Sequence, residues 1–178
     1  MIILLIPISY VRGSKYGENM GNELAVKINA PLLLSKELTR LAARNKYGII
    51  AIGTATEPWM KIEEKYKITR ACLEMIAKHR FPVHCLTKSP IILRDLDLLR
   101  EIDEYAILPY NLKEQLNHRS MITISLSTLD DSVAAIFEPG APKPTDRLKL
   151  LGKIKDAGIY AGIAYILYYH SSQILMNS

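Results

Sequence analysis

The sequence predicts an α/β fold in which helices pack outside a parallel sheet. Short apolar runs alternate along the chain with longer stretches that place apolar residues at helical spacing. The run between Gly48 and Gly53 is apolar throughout, which is typical of a strand buried on both faces of a parallel sheet. The strand–helix alternation occurs four times before a final strand. Such repetition indicates β–α units arranged as an open sheet or a barrel.

In the amino-terminal half, Leu24–Asn29 is predicted as a short strand. A helix follows to about Arg44, and Pro31 suits its first turn because the amide proton that proline lacks would be unpaired there. After the strand at 48–53, one long helix is predicted from about Ile62 to His79. The apolar start of the chain, Met1–Ile8, lacks a basic segment and a cleavage site, so we interpret it as a buried strand rather than a signal peptide.

In the carboxyl-terminal half, Phe81–Thr87 is predicted as a strand and a helix begins near Pro90, before a polar stretch. Met121–Ser127 is the next predicted strand, and Thr128–Asp131 resembles a capping box before a short helix. Pro144 suits the start of the next helix and Gly158 its end. The last strand is expected within Ile159–Tyr169, which is too short an apolar run to span a membrane.

Composition excludes several classes of protein. The 178 residues are 49% apolar, which excludes wholesale disorder, and two cysteines are too few for a disulfide scaffold or a cysteine-rich zinc site. Because no segment resembles a signal peptide or is long enough to span a membrane, we expect a soluble, cytoplasmic protein. The formal net charge is +5. Basic and acidic residues interleave over residues 61–70, which favours a solvated helix face over the alternative, a weak nucleic-acid surface.

Candidate binding residues follow three predicted strands, where the carboxyl ends of a parallel sheet would meet. Gly53–Pro58, Thr87–Ser89 and Ser125–Thr128 are small and rich in hydroxyl groups. In the first segment, strand-end carbonyls could accept hydrogen bonds from an ammonium group, and small residues would let a ligand approach. The alternative for this segment is a plain turn before a helix.

Five individual side chains, three within these segments and two beyond them, are candidates. Lys88 offers a positive charge to a carboxylate or phosphate, unless it is an ordinary rim lysine. Ser125 and Ser127 would point to the same face of their strand. Arg147, in the first turn of a helix, needs an anionic partner such as a ligand carboxylate or Glu138; the alternative is an exposed arginine.

Two other residue types have structural interpretations. His84, within an apolar strand, is interpreted as a hydrogen-bonded core or rim residue. Cys72 and Cys85 are interpreted as small buried apolar groups.

Five blocks of the chain, in order, resemble one family. They look like radical S-adenosylmethionine proteins of the spore photoproduct lyase type, which are also called DNA repair photolyases. The blocks are Ile50–Pro58, Glu63–Arg70, Leu86–Pro90 with Arg94–Leu99, Ile124–Asp131, and Glu138–Pro142 followed by Arg147.

This resemblance implies a partial TIM-type barrel of about six β–α units. It also implies a [4Fe–4S] cluster and S-adenosylmethionine, whose reductive cleavage yields a 5′-deoxyadenosyl radical, with nucleic acid as a candidate substrate class. Lys88 would pair with the methionyl carboxylate of the cofactor. The other cofactor-binding residues implied are Gly53, Thr54, Ala55 and Thr56 (carbonyls for the methionyl amine), Ser125 and Ser127 (polar edges of the cofactor), Arg147 (a second cation) and Glu138 beside it.

The chain departs from the family at the cluster. The expected CxxxCxxC loop upstream of these blocks is missing, since no cysteine precedes Cys72. Thiolates are the normal ligands of such clusters. We therefore expect a truncated core that is inactive alone: a divergent segment at 1–22, the partial core at 23–166 and an irregular tail at 167–178. A late start codon, a split gene or a degraded gene would each produce this pattern.

One alternative stays open at this stage. The chain would be a non-catalytic remnant, or one subunit of a split enzyme, that binds a nucleotide or a partner through its open strand edges. A complementing cysteine-containing fragment is the partner that the second case requires.

Overall fold

Parallel strands form one sheet whose spatial order follows the chain order. The computed structural model describes residues 2–5, by their backbone only, and residues 26–165. In these two ranges the sheet has five strands: β1 (Ile2–Leu5), β2 (Ile49–Ile52), β3 (Val83–Thr87), β4 (Ser120–Leu126) and β5 (Ala161–Tyr165). All four neighbouring pairs are parallel. The prediction of an α/β fold on a parallel sheet is confirmed.

Helices occupy the connections between the strands. They are α1 (Ala30–Ala42), α2 (Glu63–Tyr66), α3 (Ile68–Lys78), α4 (Leu96–Tyr105), α5 (Asp131–Phe137) and α6 (Pro144–Asp156), with 3₁₀ turns at Pro90–Asp95 and Tyr110–Leu112.

The core lies between these helices and one face of the sheet. Alternate strand residues such as Val83, Cys85 and Ile124 are fully buried against apolar helix residues such as Leu73 and Leu99. Burial of this kind contributes about 25 cal/mol for each Å² of apolar surface removed from water. The residues between them on β3 and β4 are mostly half-buried, so the second face of the sheet is less covered.

The first strand is not where Leu24–Asn29 predicts it. Within the described part of that segment, Val26 makes only an isolated bridge, and a turn follows. Local hydrogen bonds from the Ile28 amide to the Val26 carbonyl and from the Ala30 amide to the Lys27 carbonyl curl the backbone into α1. The strand predicted within Met1–Ile8 is confirmed for Ile2–Leu5, which pairs with β2.

The predicted long helix over 62–79 is broken at Lys67, whose φ of +50° is left-handed. The break places the short helix α2 beside the start of α3. There the Glu63 carboxylate accepts a hydrogen bond from the Thr69 amide over 2.9 Å and satisfies one of the free N–H groups at the helix start. Glu63 is 1% exposed, so the prediction of a solvated face is wrong at this residue.

The remaining elements follow the sequence closely except at the start of α5. The capping box predicted at Thr128–Asp131 does not form: the residue that caps α5 is Asp130, not Thr128, and it accepts hydrogen bonds from the Ser132 and Val133 amides. The Thr128 hydroxyl instead accepts a hydrogen bond from the Asp130 amide at 3.1 Å. Pro144 begins α6, and Gly158 follows its end with a φ of +80°. The end of the predicted last strand, from residue 166, and the predicted tail lie outside the described residues. Among the helices described here, none has the length and apolar character needed to cross a membrane.

Candidate functional site

An open cleft of about 250 Å³ lies where the carboxyl ends of β2, β3 and β4 meet. The loop after β2 contributes residues 53–57, the end of β3 contributes residues 86–88, and β4 contributes Ser125. The structure thus brings together most of the residues that the sequence singles out: Gly53, Thr54, Ala55, Thr56, Lys88 and Ser125.

Gly53 sets the shape of the cleft. Its φ is +91°, and a Cβ at this position would lie 1.9 Å from the Leu86 carbonyl oxygen. The loop after β2 can therefore pass against β3 only if residue 53 has no side chain. Three residues further on, Thr56 lines the cleft. Its hydroxyl oxygen is buried and has no hydrogen-bond partner within the described ranges.

Glu57 holds two walls of the cleft together, a role that the sequence analysis did not assign. Its Oε1 accepts hydrogen bonds from the Thr87 hydroxyl at 2.6 Å and from the Trp59 amide at 3.0 Å, and its Oε2 accepts one from the Lys88 amide at 2.8 Å. A carboxylate directly after a strand-end loop of small residues was the available signal. Two of its partners, Thr87 and Lys88, lie at the end of β3, so spacing along the sequence could not identify them.

Lys88 and Arg147 share one carboxylate. The Lys88 ammonium donates to Oε1 of Glu138 at 2.6 Å, and the Arg147 guanidinium donates to Oε2. The Glu138 side chain is only 6% exposed. Burial acts to raise the pKa of Glu138, but the hydrogen bonds from Lys88 and Arg147 outweigh burial and hold that pKa below its ordinary value. Glu138 is therefore charged at neutral pH and links the two cations.

Arg147 is fully buried, so the alternative of an exposed arginine is wrong. Its Nε donates to the Pro142 carbonyl at 2.7 Å and its Nη1 to the Ser125 carbonyl at 3.1 Å. These bonds join α6, the loop before it and the end of β4.

The two serines have different surroundings. Ser125 is buried and lines the cleft, whereas Ser127 lies beyond the end of β4, is half-buried and does not contribute to the lining of this cleft.

A second cleft of about 770 Å³ adjoins the first. Lys88 and Glu57 line both clefts, and the second also contains Trp59, Phe137 and the loop 138–142. The Lys88 side chain is 28% exposed, so its charge is accessible at the boundary between the two clefts.

A buried carboxylate, that of Asp95, connects segments of the chain next to the second cleft. Asp95 is fully buried and accepts hydrogen bonds from the Trp59 indole at 2.8 Å, from Arg94 at 2.8 and 2.9 Å, and from Arg70 at 3.1 Å. Because these donors come from the loop after β2, the 3₁₀ turn and α3, Asp95 ties three segments together.

His84 and the two cysteines have structural roles. The His84 ring nitrogen lies 2.7 Å from the Thr123 hydroxyl, and burial lowers the His84 pKa. Cys72 and Cys85 are both fully buried in the core. Burial, with the nearby charge of Glu63, raises the pKa of Cys72 to about 12, and burial also raises that of Cys85.

The residues present therefore do not fit a [4Fe–4S] cluster. The chain has two cysteines, and both are inaccessible and held as neutral thiols. Residues 26–165 also contain no group of three histidine, cysteine or acidic side chains placed to hold a metal ion.

The chain is similar to several curated proteins. It is 28% identical over 143 residues to an uncharacterized protein of Mycobacterium tuberculosis, covering 80% of this chain and 38% of that protein. It is 26% identical over 156 residues to an uncharacterized protein of Methanocaldococcus jannaschii, covering 85% of this chain and 50% of that one. The chain thus spans half or less of the length of these relatives. No protein-family profile matches it.

The fold is also found in solved structures. Two mutants of spore photoproduct lyase superimpose with a TM-score of 0.57 over 84% of this chain and 38% of theirs, at 17% and 18% identity. The class of fold is therefore a partial TIM-type barrel, which this chain shares with part of spore photoproduct lyase.

Proposed function

We propose that this chain binds S-adenosylmethionine in the cleft at the carboxyl ends of β2, β3 and β4, as the cofactor-binding part of a radical S-adenosylmethionine core. The observation that carries the proposal is the cleft itself. Gly53 lets the loop after β2 pass against β3 to form one side of the cleft, and Lys88 is among the residues that line it.

The lining of the cleft has the chemistry that the amino-acid part of this ligand needs. Backbone carbonyls of the loop 53–56 can accept from an ammonium group, while Lys88 can donate to a carboxylate. The Thr56 hydroxyl, unpaired among the described residues, and Ser125 add polar groups that can bond to the ligand. Opposite charges on the ligand would thus meet complementary groups on opposite walls of one cleft.

Reductive cleavage of this cofactor requires an iron–sulfur cluster, and the two buried thiols do not fit one. We therefore assign ligand binding, and no redox step, to this chain alone. Thiolates from elsewhere, on a segment upstream of these residues or on a cysteine-containing partner chain, would be needed for catalysis.

Binding of S-adenosylmethionine is expected to depend on Lys88. In isothermal titration calorimetry, Lys88→Met should weaken binding about 10-fold or more, because a hydrogen bond to a charged group contributes about 1.5–3 kcal/mol. The matched control is Lys153→Met, which removes an exposed lysine on α6 and should change nothing. The absence of binding to the unaltered protein, or equal affinity in Lys88→Met, would contradict the proposal.

Reconstitution should leave the chain without a cluster. After anaerobic incubation with iron and sulfide and removal of the excess, we expect far less than one [4Fe–4S] cluster per chain by absorption and electron paramagnetic resonance, because both thiols are buried and protonated. The doubly substituted variant Cys72→Ser/Cys85→Ser should retain the same background iron. A stoichiometric cluster that is lost in this variant would overturn the prediction.

A further inference from the structure

We propose that Glu138 and Arg147 are positioning residues, which hold the Lys88 ammonium at the cleft and do not touch the ligand themselves. This inference rests on the proposed function and deepens it, because it separates the residue that meets the ligand carboxylate from the residues that orient it.

Arg147 is not accessible to a ligand. Its side chain is 0% exposed, and its Nε, Nη1 and Nη2 donate to Pro142, Ser125 and Glu138 respectively. Two of these acceptors are backbone carbonyls, so the guanidinium is fixed to the protein framework. Although Arg147 lies next to the site, it therefore binds Glu138 and not the ligand.

Arg147 fixes the position of the Glu138 carboxylate, and this carboxylate in turn fixes the position of the Lys88 ammonium. One carboxylate oxygen accepts from each cation, and the side chain is 6% exposed. A carboxylate held in this way by a rigid guanidinium offers Lys88 a stationary acceptor. It does not offer a free oxygen to a ligand.

Lys88 is held at both ends and keeps binding capacity. Its backbone amide donates to Glu57 at 2.8 Å, and its ammonium donates to Glu138 at 2.6 Å. An ammonium group has three donors, so two are left for a ligand. The two cations and the Glu138 carboxylate together carry one net positive charge, which an incoming carboxylate would neutralise. Immobilising a lysine side chain normally costs conformational entropy when a ligand binds. Because Lys88 is already immobilised in the folded protein, ligand binding does not incur that cost.

A double-mutant cycle with two neutral ligands tests this inference. S-Adenosylhomocysteine carries an ammonium and a carboxylate, whose charges cancel, whereas 5′-methylthioadenosine lacks the amino-acid part. We expect Glu138→Gln to weaken the binding of S-adenosylhomocysteine about 2- to 10-fold, which is the effect of immobilising one flexible side chain. The affinity for 5′-methylthioadenosine should not change. With Lys88→Met already present, Glu138→Gln should have no further effect on either ligand.

The other outcomes identify what fails. If Glu138→Gln weakens the binding of both ligands equally, Glu138 has a merely structural role. If the effects of the two substitutions are additive in the cycle, Glu138 contacts the ligand itself. If Glu138→Gln binds the first ligand more tightly, Glu138 competes with that ligand for Lys88. Binding to the unaltered protein with no effect of Glu138→Gln overturns only the positioning role. If the unaltered protein binds neither S-adenosylhomocysteine nor S-adenosylmethionine, the proposed function is overturned as well. If Glu138→Gln does not fold, Arg147→Lys, which keeps the charge but loses the three-way fork, should weaken the first ligand alone.

Discussion

Replacing Gly53 by alanine is expected to destabilise the protein by about 3 kcal/mol or more and to abolish ligand binding in the cleft. A left-handed backbone costs an alanine about 1–2 kcal/mol. The added Cβ would also lie 1.9 Å from the Leu86 carbonyl oxygen, which belongs to β3 and cannot retreat without disturbing the sheet. Both costs add, so the loop after β2 must move away from β3.

Urea denaturation measures this effect, and the chain provides a matched control. Gly158 has nearly the same φ, +80°, but a Cβ there would meet nothing within 4 Å. Gly158→Ala should therefore show only the backbone cost, about 1–2 kcal/mol. Equal losses of stability in the two variants would mean that the close approach to Leu86 contributes nothing.

Asp95→Asn is expected to reduce stability by about 3 kcal/mol or more. Asparagine has nearly the same volume, so no cavity forms, but its amide group would face donors from Trp59, Arg70 and Arg94 without the charge that they share. Leaving buried charged or polar groups without their partner costs about 3–5 kcal/mol. We expect the intrinsic fluorescence of Trp59, the protein's single tryptophan, to shift as its hydrogen bond is lost.

The control for this variant is Asp97→Asn. Asp97 pairs with the same Arg70, but its side chain is 58% exposed, and exposed ion pairs contribute about 0–1 kcal/mol. Denaturation midpoints should therefore separate the two variants clearly. Comparable losses would indicate that the Asp95 network is no stronger than a surface pair.

The predictable parts of the fold were those with local causes. The strands β2, β3 and β4 and the helix start at Pro144 depend on neighbouring residues, and each lies close to where the sequence predicts it. The break at Lys67 was missed because its helical periodicity is unbroken. The partner that favours the break, the Glu63 carboxylate beneath Thr69, is evident only when α2 and α3 are folded together.

The candidate site, like the fold, could be predicted only in part from the sequence. Architecture and residue type were enough to select the loops at Gly53, Lys88 and Ser125, because parallel strands bring their carboxyl ends to one edge. The pairing of Lys88 with Glu138, 50 positions away, could not be read from spacing. The burial of Glu63 was misjudged for a related reason, since an acidic residue between lysines looks exposed until its hydrogen bonds with Arg94 are known.

The order of the sheet, in which every described strand pairs with the strand before it in the chain, has a consequence for biosynthesis. Each β–α unit can dock onto the sheet as soon as it leaves the ribosome, because its neighbour has already been made. No strand from β2 to β5 must wait for a distant part of the chain, so the loop-closure cost of each step stays small. The growing sheet, however, presents an unpaired edge after every step until the next strand arrives. Until the next strand docks, that edge is available for pairing with another copy of the chain.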